Sequence, residues 1–209
     1  MNIESFNLDR YQTSSLLSAF RERKNVVLFW MQVVKTILSF VEPKPEQIYG
    51  KMLICTEKMH RVFIEGDGKT FSTALPFSVK KVDGYFFCTL RSGIDLSSKL
   101  SSEIIAALST SDSFGNIQVL GFADEIMNIS DDPDTLWVAL SELINSDDGY
   151  LRFDHDPDRE DGKIHPLNHI DIFFSQSATF KLGLRERLEI NALSDILNIR
   201  TDCHYLAKE

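Results

Sequence analysis

The sequence predicts an α+β fold, an antiparallel sheet with helices packed on one face, closed by a C-terminal three-stranded meander and a final helix. Three observations predict it. Strand-like runs come in groups instead of alternating one by one with helices, which argues against a doubly wound parallel sheet. Gly66-Asp67-Gly68 stands between two such runs and is a hairpin signal. Elsewhere apolar residues recur at the helical period. Hydrophobic residues make up 43% of the 209, enough to bury a substantial core, and fifteen Phe against two Trp mark phenylalanine as its main aromatic filler. The chain reads as a single domain over 1–209 with a helical N-terminal subregion over 1–45.

Val26, Val27, Phe29, Trp30, Val33, Val34, Ile37, Leu38 and Val41 predict a helix that is apolar around most of its girth. Gln32, Lys35, Thr36 and Ser39 leave it one narrow polar stripe. Such a helix is either a core helix of its own domain or one shared with a protein partner, and residues 26–41 are the candidate partner surface. Pro43 and Pro45 end it. Strands are expected at 51–57, 61–65, 70–75 and 84–90, the last carrying Tyr85, Phe86 and Phe87. A helix follows at 96–109. Asp132 as N-cap, Pro133 in the first turn and the stripe Leu136, Leu140, Leu143 predict a second. Strands at 150–156, 167–174 and 179–184 form the meander, and 186–197 is the closing helix.

The meander carries the chemistry-bearing residues. Side chains alternate across a strand, so parity sorts them into faces. Leu151, Phe153, Ile170, Ile172, Phe174, Phe180, Leu182 and Leu184 take one face; Arg152, Asp154, Asp156, His169, Asp171 and Lys181 take the other. The plain expectation for that second face is a solvated surface with cross-strand charge pairs. The excess of Asp over Lys argues for more. Imidazole and carboxylates are metal ligands, so His169, Asp171, Asp154 and Asp156 are candidate ligands for a divalent ion, with Arg152 or Lys181 to steady a phosphate. Alternatively His169 is a general base oriented by a carboxylate. On a continuous strand His165 lies about 13 Å from His169, too far to share an ion, unless Pro166 introduces a bend. Asp154, Asp156 and Asp158 match the start of a calcium loop, but Arg159 stands where its glycine is required, and the match fails.

Composition bounds the function. A net charge of −9 gives no broad positive field, so a nucleic-acid partner is not expected. Cys55, Cys88 and Cys203 form no CxxC pair, which points to a reducing, cytoplasmic setting. The first residues read as no secretory leader, and no apolar run is long enough for a membrane span. No Gly-rich phosphate loop, GxSxG or HExxH occurs. Cys203 and His204 are adjacent and diverge on a strand, and they are a poor nucleophile pair.

Gly149-Tyr150-Leu151-Arg152-Phe153-Asp154, followed by His165-Pro166-Leu167-Asn168-His169-Ile170, resembles the signature of a bacterial family of unknown function: Gly-Tyr-x-Arg-aromatic-Asp, then His-Pro-x-x-His-aliphatic. The resemblance spans 149–170, and the proline this family carries after the second histidine is missing near Lys181. It implies a prokaryotic protein linked to antiphage defence or a mobile element, and singles out Arg152, Asp154, His165 and His169. The leading expectation is a non-catalytic subunit or adaptor of such a system, with no cofactor. The alternative is a metal-dependent phosphodiester hydrolase that uses Arg152, Asp154, His169 and Asp171. A small-ligand sensor has no residue-level support.

Overall fold

The computed structural model describes residues 3–17, 22–56, 59–110, 126–147, 149–175 and 178–202. Cys203 and His204 lie outside them, as do the side chains of Phe174 and Phe180. The fold is α+β, and contacts divide the chain into two compact units. The first comprises Met1–Leu17, Glu42–Ala74 and Gly149–Glu209; the second comprises Ser18–Val41 and Leu75–Asp148.

The first unit is a seven-stranded antiparallel sheet: β1 (Ile3–Leu8), β2 (Gly50–Cys55), β3 (Arg61–Gly66), β4 (Lys69–Ala74), β7 (Tyr150–His155), β8 (Asn168–Ser175) and β9 (Ala178–Leu184), in that spatial order. The C-terminal meander is therefore the last three strands of a larger sheet, and it is followed by a helix as expected. The β3–β4 turn has Asp67 and Gly68 both at positive φ, 48° and 73°, the geometry whose twist matches that of a strand pair. Residues 3–8 fall within the stretch expected to be helical, yet they form β1. Their alternating burial, with Phe6 and Leu8 inside, is a strand pattern.

Two helices flank this sheet on opposite faces. Helix α1 (Arg10–Leu16) starts from a capping box, in which Asp9 accepts from the Gln12 backbone N–H and Gln12 accepts from that of Asp9. Its Thr13 lies over Gly50 and Gly66, which face each other in β2 and β3. A Cβ at Gly66 would run into Thr13 Cγ2. Gly66→Ala is therefore expected to lower stability by about 1–3 kcal/mol through overpacking, read as a fall in Tm. Helix α5 (Ile190–Ile196) takes the other face, where Ile190 and Leu193 pack on Leu53, Cys55 and Phe63.

The second unit holds α2 (Arg23–Leu38), the hairpin of β5 (Phe77–Val82) and β6 (Tyr85–Leu90), α3 (Ser98–Thr110) and α4 (Pro133–Ile144). Helix α2 packs against α3, α4 and β6, and Val26, Val27, Phe29, Trp30, Met31, Val33, Val34 and Ile37 are buried. Its wide apolar girth is consumed by its own unit, as expected of a core helix. Asp132 caps α4 by accepting from the Thr135 N–H at 3.2 Å, with Pro133 opening the helix. Burial pushes the Cys88 thiol up to about 12, with Asp95 adding to the shift, so it is a core residue and not a nucleophile. No helix among the described residues is long and apolar enough to cross a membrane.

Candidate metal centre

The register fixes which side chains meet. Phe71, Arg152, Asp171 and Lys181 form one row across β4, β7, β8 and β9; Lys69, Asp154, His169 and Gly183 form the next. The same register places these rows on the face that carries Phe6, Met52, Ile64 and Phe71, all buried, over the first four strands. The polar residues thus continue an interior face. This overturns the expectation of a solvated surface: Asp154 is 4% exposed, Asp171 7% and His169 1%. Burial on both sides explains it, since Phe153 and Ile170 are buried on the opposite face as well.

Arg152 lies at the middle of the cluster. Its guanidinium donates to Asp154 Oδ2 from Nη2 at 2.7 Å and from Nε at 3.0 Å, and to Asp171 Oδ2 from Nη2 at 2.8 Å. Burial alone pulls its pKa down, but the carboxylates of Asp154 and Asp171 outweigh that, and the net shift is upward. One planar fork therefore holds two carboxylates side by side by their Oδ2 atoms. Lys181 Nζ stands 3.5 Å from Asp171 Oδ1, too long for a strong hydrogen bond. Next to this row Tyr150 stacks on Phe173 with ring centroids 4.9 Å apart, an apolar wall that raises the Tyr150 hydroxyl pKa by burial.

His169 is oriented from behind. Its Nδ1 lies 2.8 Å from the Pro166 carbonyl oxygen, which can only accept, so Nδ1 carries a proton. Nε2 is left facing Asp154 Oδ2 at 3.6 Å and Asp171 Oδ1 at 4.0 Å. Neither separation is a hydrogen bond, so a proton on Nε2 would not find an acceptor here. Among the described residues, four buried side-chain atoms have no hydrogen-bond partner: Asp154 Oδ1, Asp171 Oδ1, His169 Nε2 and His165 Nδ1. An unsatisfied buried polar atom costs about 1–3 kcal/mol, so four together rival the whole stability of an ordinary domain. A cation held between Asp154, His169 and Asp171 would relieve part of that penalty.

The donor set fits such an ion. One atom each of Asp154, His169 and Asp171 lie within 4.8 Å of one another, the separations of ligands sharing one ion. One imidazole nitrogen with two carboxylate oxygens suits zinc, manganese or iron better than calcium. The Nδ1–H···O=C bond behind His169 and the guanidinium behind both carboxylates are the outer contacts that orient metal ligands.

Of the residues expected from sequence, Arg152, Asp154, His169 and Asp171 meet, with Lys181 at the rim. Asp156 does not join them. It lies beyond the end of β7, where its N–H is bonded to the Leu167 carbonyl and its carboxylate faces Arg159 at 4.0 Å. His165 comes much nearer than a continuous strand would allow. Its ring meets that of His169 edge-on with centroids 4.6 Å apart, because residues 161–165 turn back through paired Asp161 and His165 backbone bonds. Pro166, which disfavours helix at His165, makes that bend. No family model matches the chain, and neither the curated proteins nor the solved structures give a match.

Proposed function

We propose that this protein is a divalent-metal-dependent hydrolase acting on phosphodiesters, with Asp154, His169 and Asp171 as the ligands. The observation that carries the reading is the convergence of one ligand atom each from the buried Asp154, His169 and Asp171 within 4.8 Å on the sheet face, where each of these side chains also keeps a buried atom without a hydrogen-bond partner. A metal held there would supply Lewis acidity and an activated water. The chain's own residues do the rest. Pro166 fixes the proton of His169 on Nδ1 and leaves Nε2 to bind. Arg152 holds both carboxylates in place. Its side chain is 25% exposed and that of Lys181 39%, so the cationic rim is the accessible side of the cluster. Because Arg152 and Lys181 already balance the two carboxylates, a divalent ion leaves the centre with excess positive charge, which favours an anionic substrate.

The bacterial signature supports the same centre, because Arg152, Asp154, His165 and His169 are the residues it singles out. The adaptor reading in a defence system keeps that resemblance, the acidic charge and the lack of a strong catalytic motif as support and loses the partner helix, since α2 spends its apolar surface inside its own unit.

The test is hydrolysis of bis(p-nitrophenyl) phosphate by the full chain with Mn²⁺ or Zn²⁺. Turnover should require the metal, stop with a chelator and fall by at least about 100-fold in Asp171→Asn. Metal binding without turnover on this or any longer phosphodiester would remove the hydrolase and leave a metal-binding protein.

A further inference from the structure

We infer that Gly183 is a positioning residue for His169, acting through Pro166. The inference rests on the centre proposed above and concerns how its histidine is aimed. Gly183 on β9 is the direct register partner of His169 on β8, one row from the Asp171–Lys181 pair. A side chain there would point to the same face as the imidazole. A Cβ built on Gly183 lies 3.0 Å from Pro166 Cγ and 3.5 Å from Pro166 Cβ. The glycine therefore leaves the space into which the pyrrolidine ring folds.

That space has a consequence for the imidazole. With the ring seated over β9, the Pro166 carbonyl reaches His169 Nδ1 at 2.8 Å, and the preceding residue brings the His165 ring edge-on to His169. The Pro166 φ is fixed and its side chain has no free rotor, so it yields only by ring pucker or by moving with its backbone. A methyl group at position 183 requires Pro166 to give by a few tenths of an ångström, and movement of the 165–166 backbone takes up part of it. The Nδ1 bond then lengthens, the imidazole loses its fixed tautomer, and Nε2 is no longer held as the donor. Gly183 touches neither the carboxylates nor any substrate. Its φ lies outside the left-handed region that demands glycine, so close approach alone requires it.

The experiment combines nitrogen NMR of the histidine rings at mildly alkaline pH in metal-free protein with Mn²⁺ titration. Wild-type His169 should show the Nδ1–H tautomer. Gly183→Ala should shift it toward a mixture and weaken Mn²⁺ by about 10–100-fold, the range for losing an outer contact to a metal ligand. Adding Pro166→Ala keeps the carbonyl and removes Cγ, so the double variant should recover the wild-type tautomer and most of the affinity. A single variant that fails to fold, paired with a double variant that folds, is the same result in stronger form. Wild-type tautomer and affinity in Gly183→Ala would overturn the inference, as would a double variant no better than the single one. A chain that binds no Mn²⁺ but shows the tautomer shift would refute the metal centre while upholding this role of Gly183.

Discussion

Replacing His169 by alanine is expected to abolish metal binding at the proposed centre: Mn²⁺ or Zn²⁺ affinity should fall by more than about 100-fold, because a direct ligand matters more than the outer contacts whose loss costs about 10–100-fold. The effect on the metal-free fold is smaller and of a different kind. Alanine leaves a cavity where a fully buried ring stood, but it also removes a nitrogen that had no hydrogen-bond partner. Thermal unfolding of the metal-free protein at increasing Mn²⁺ separates the two, since the wild type should gain stability with rising Mn²⁺ and His169→Ala should gain none. Equal metal-induced shifts in Tm for both proteins would place the ion elsewhere.

Arg152→Ala is expected to destabilise the sheet by about 3 kcal/mol. It leaves the Asp154 and Asp171 carboxylates buried side by side without the fork that neutralises them, and breaking a buried ion pair from one side costs about 3–5 kcal/mol. The lower end applies because Arg152 keeps some solvent access and Lys181 remains 3.5 Å from Asp171. Arg152→Lys should recover part of the loss, as a point charge cannot grip two carboxylates at once. A divalent ion should rescue Arg152→Ala more than it stabilises the wild type, since it supplies the missing positive charge between the same two carboxylates. Urea unfolding with and without Mn²⁺ measures all three.

Much of this was legible in the sequence, and the misses have physical causes. Parity placed Arg152, Asp154, His169, Asp171 and Lys181 on one face because the side-chain period of a strand leaves no other arrangement. It could not say whether that face was wet. Burial came from the register of β4 against β7, which sets Phe71 beside Arg152 and extends an interior face into the meander. Asp156 stands apart from the cluster because β7 stops at His155, one residue before parity would have counted it in. His165 is nearer than a straight strand predicts, because the Asp161–His165 turn and Pro166 fold the chain back.

Two elements had readable signals that went unused. Asp9 and Gln12 form the spacing of a capping box, and they start α1. Asp83-Gly84 is as strong a hairpin turn as Asp67-Gly68, with φ of 51° and 86°, and it joins β5 to β6. The polar run of Lys80 and Lys81 hid the first strand of that hairpin, although exposed positions on one face are compatible with a strand.

The most direct test of the metal centre is anomalous X-ray scattering from crystals of the full chain grown with Mn²⁺. One peak per chain is expected, within bonding distance of His169 Nε2 and of one oxygen each of Asp154 and Asp171, about 2.0–2.2 Å when the ion is zinc. A site without a peak, with His169 Nε2 instead hydrogen-bonded directly to Asp154, would contradict it.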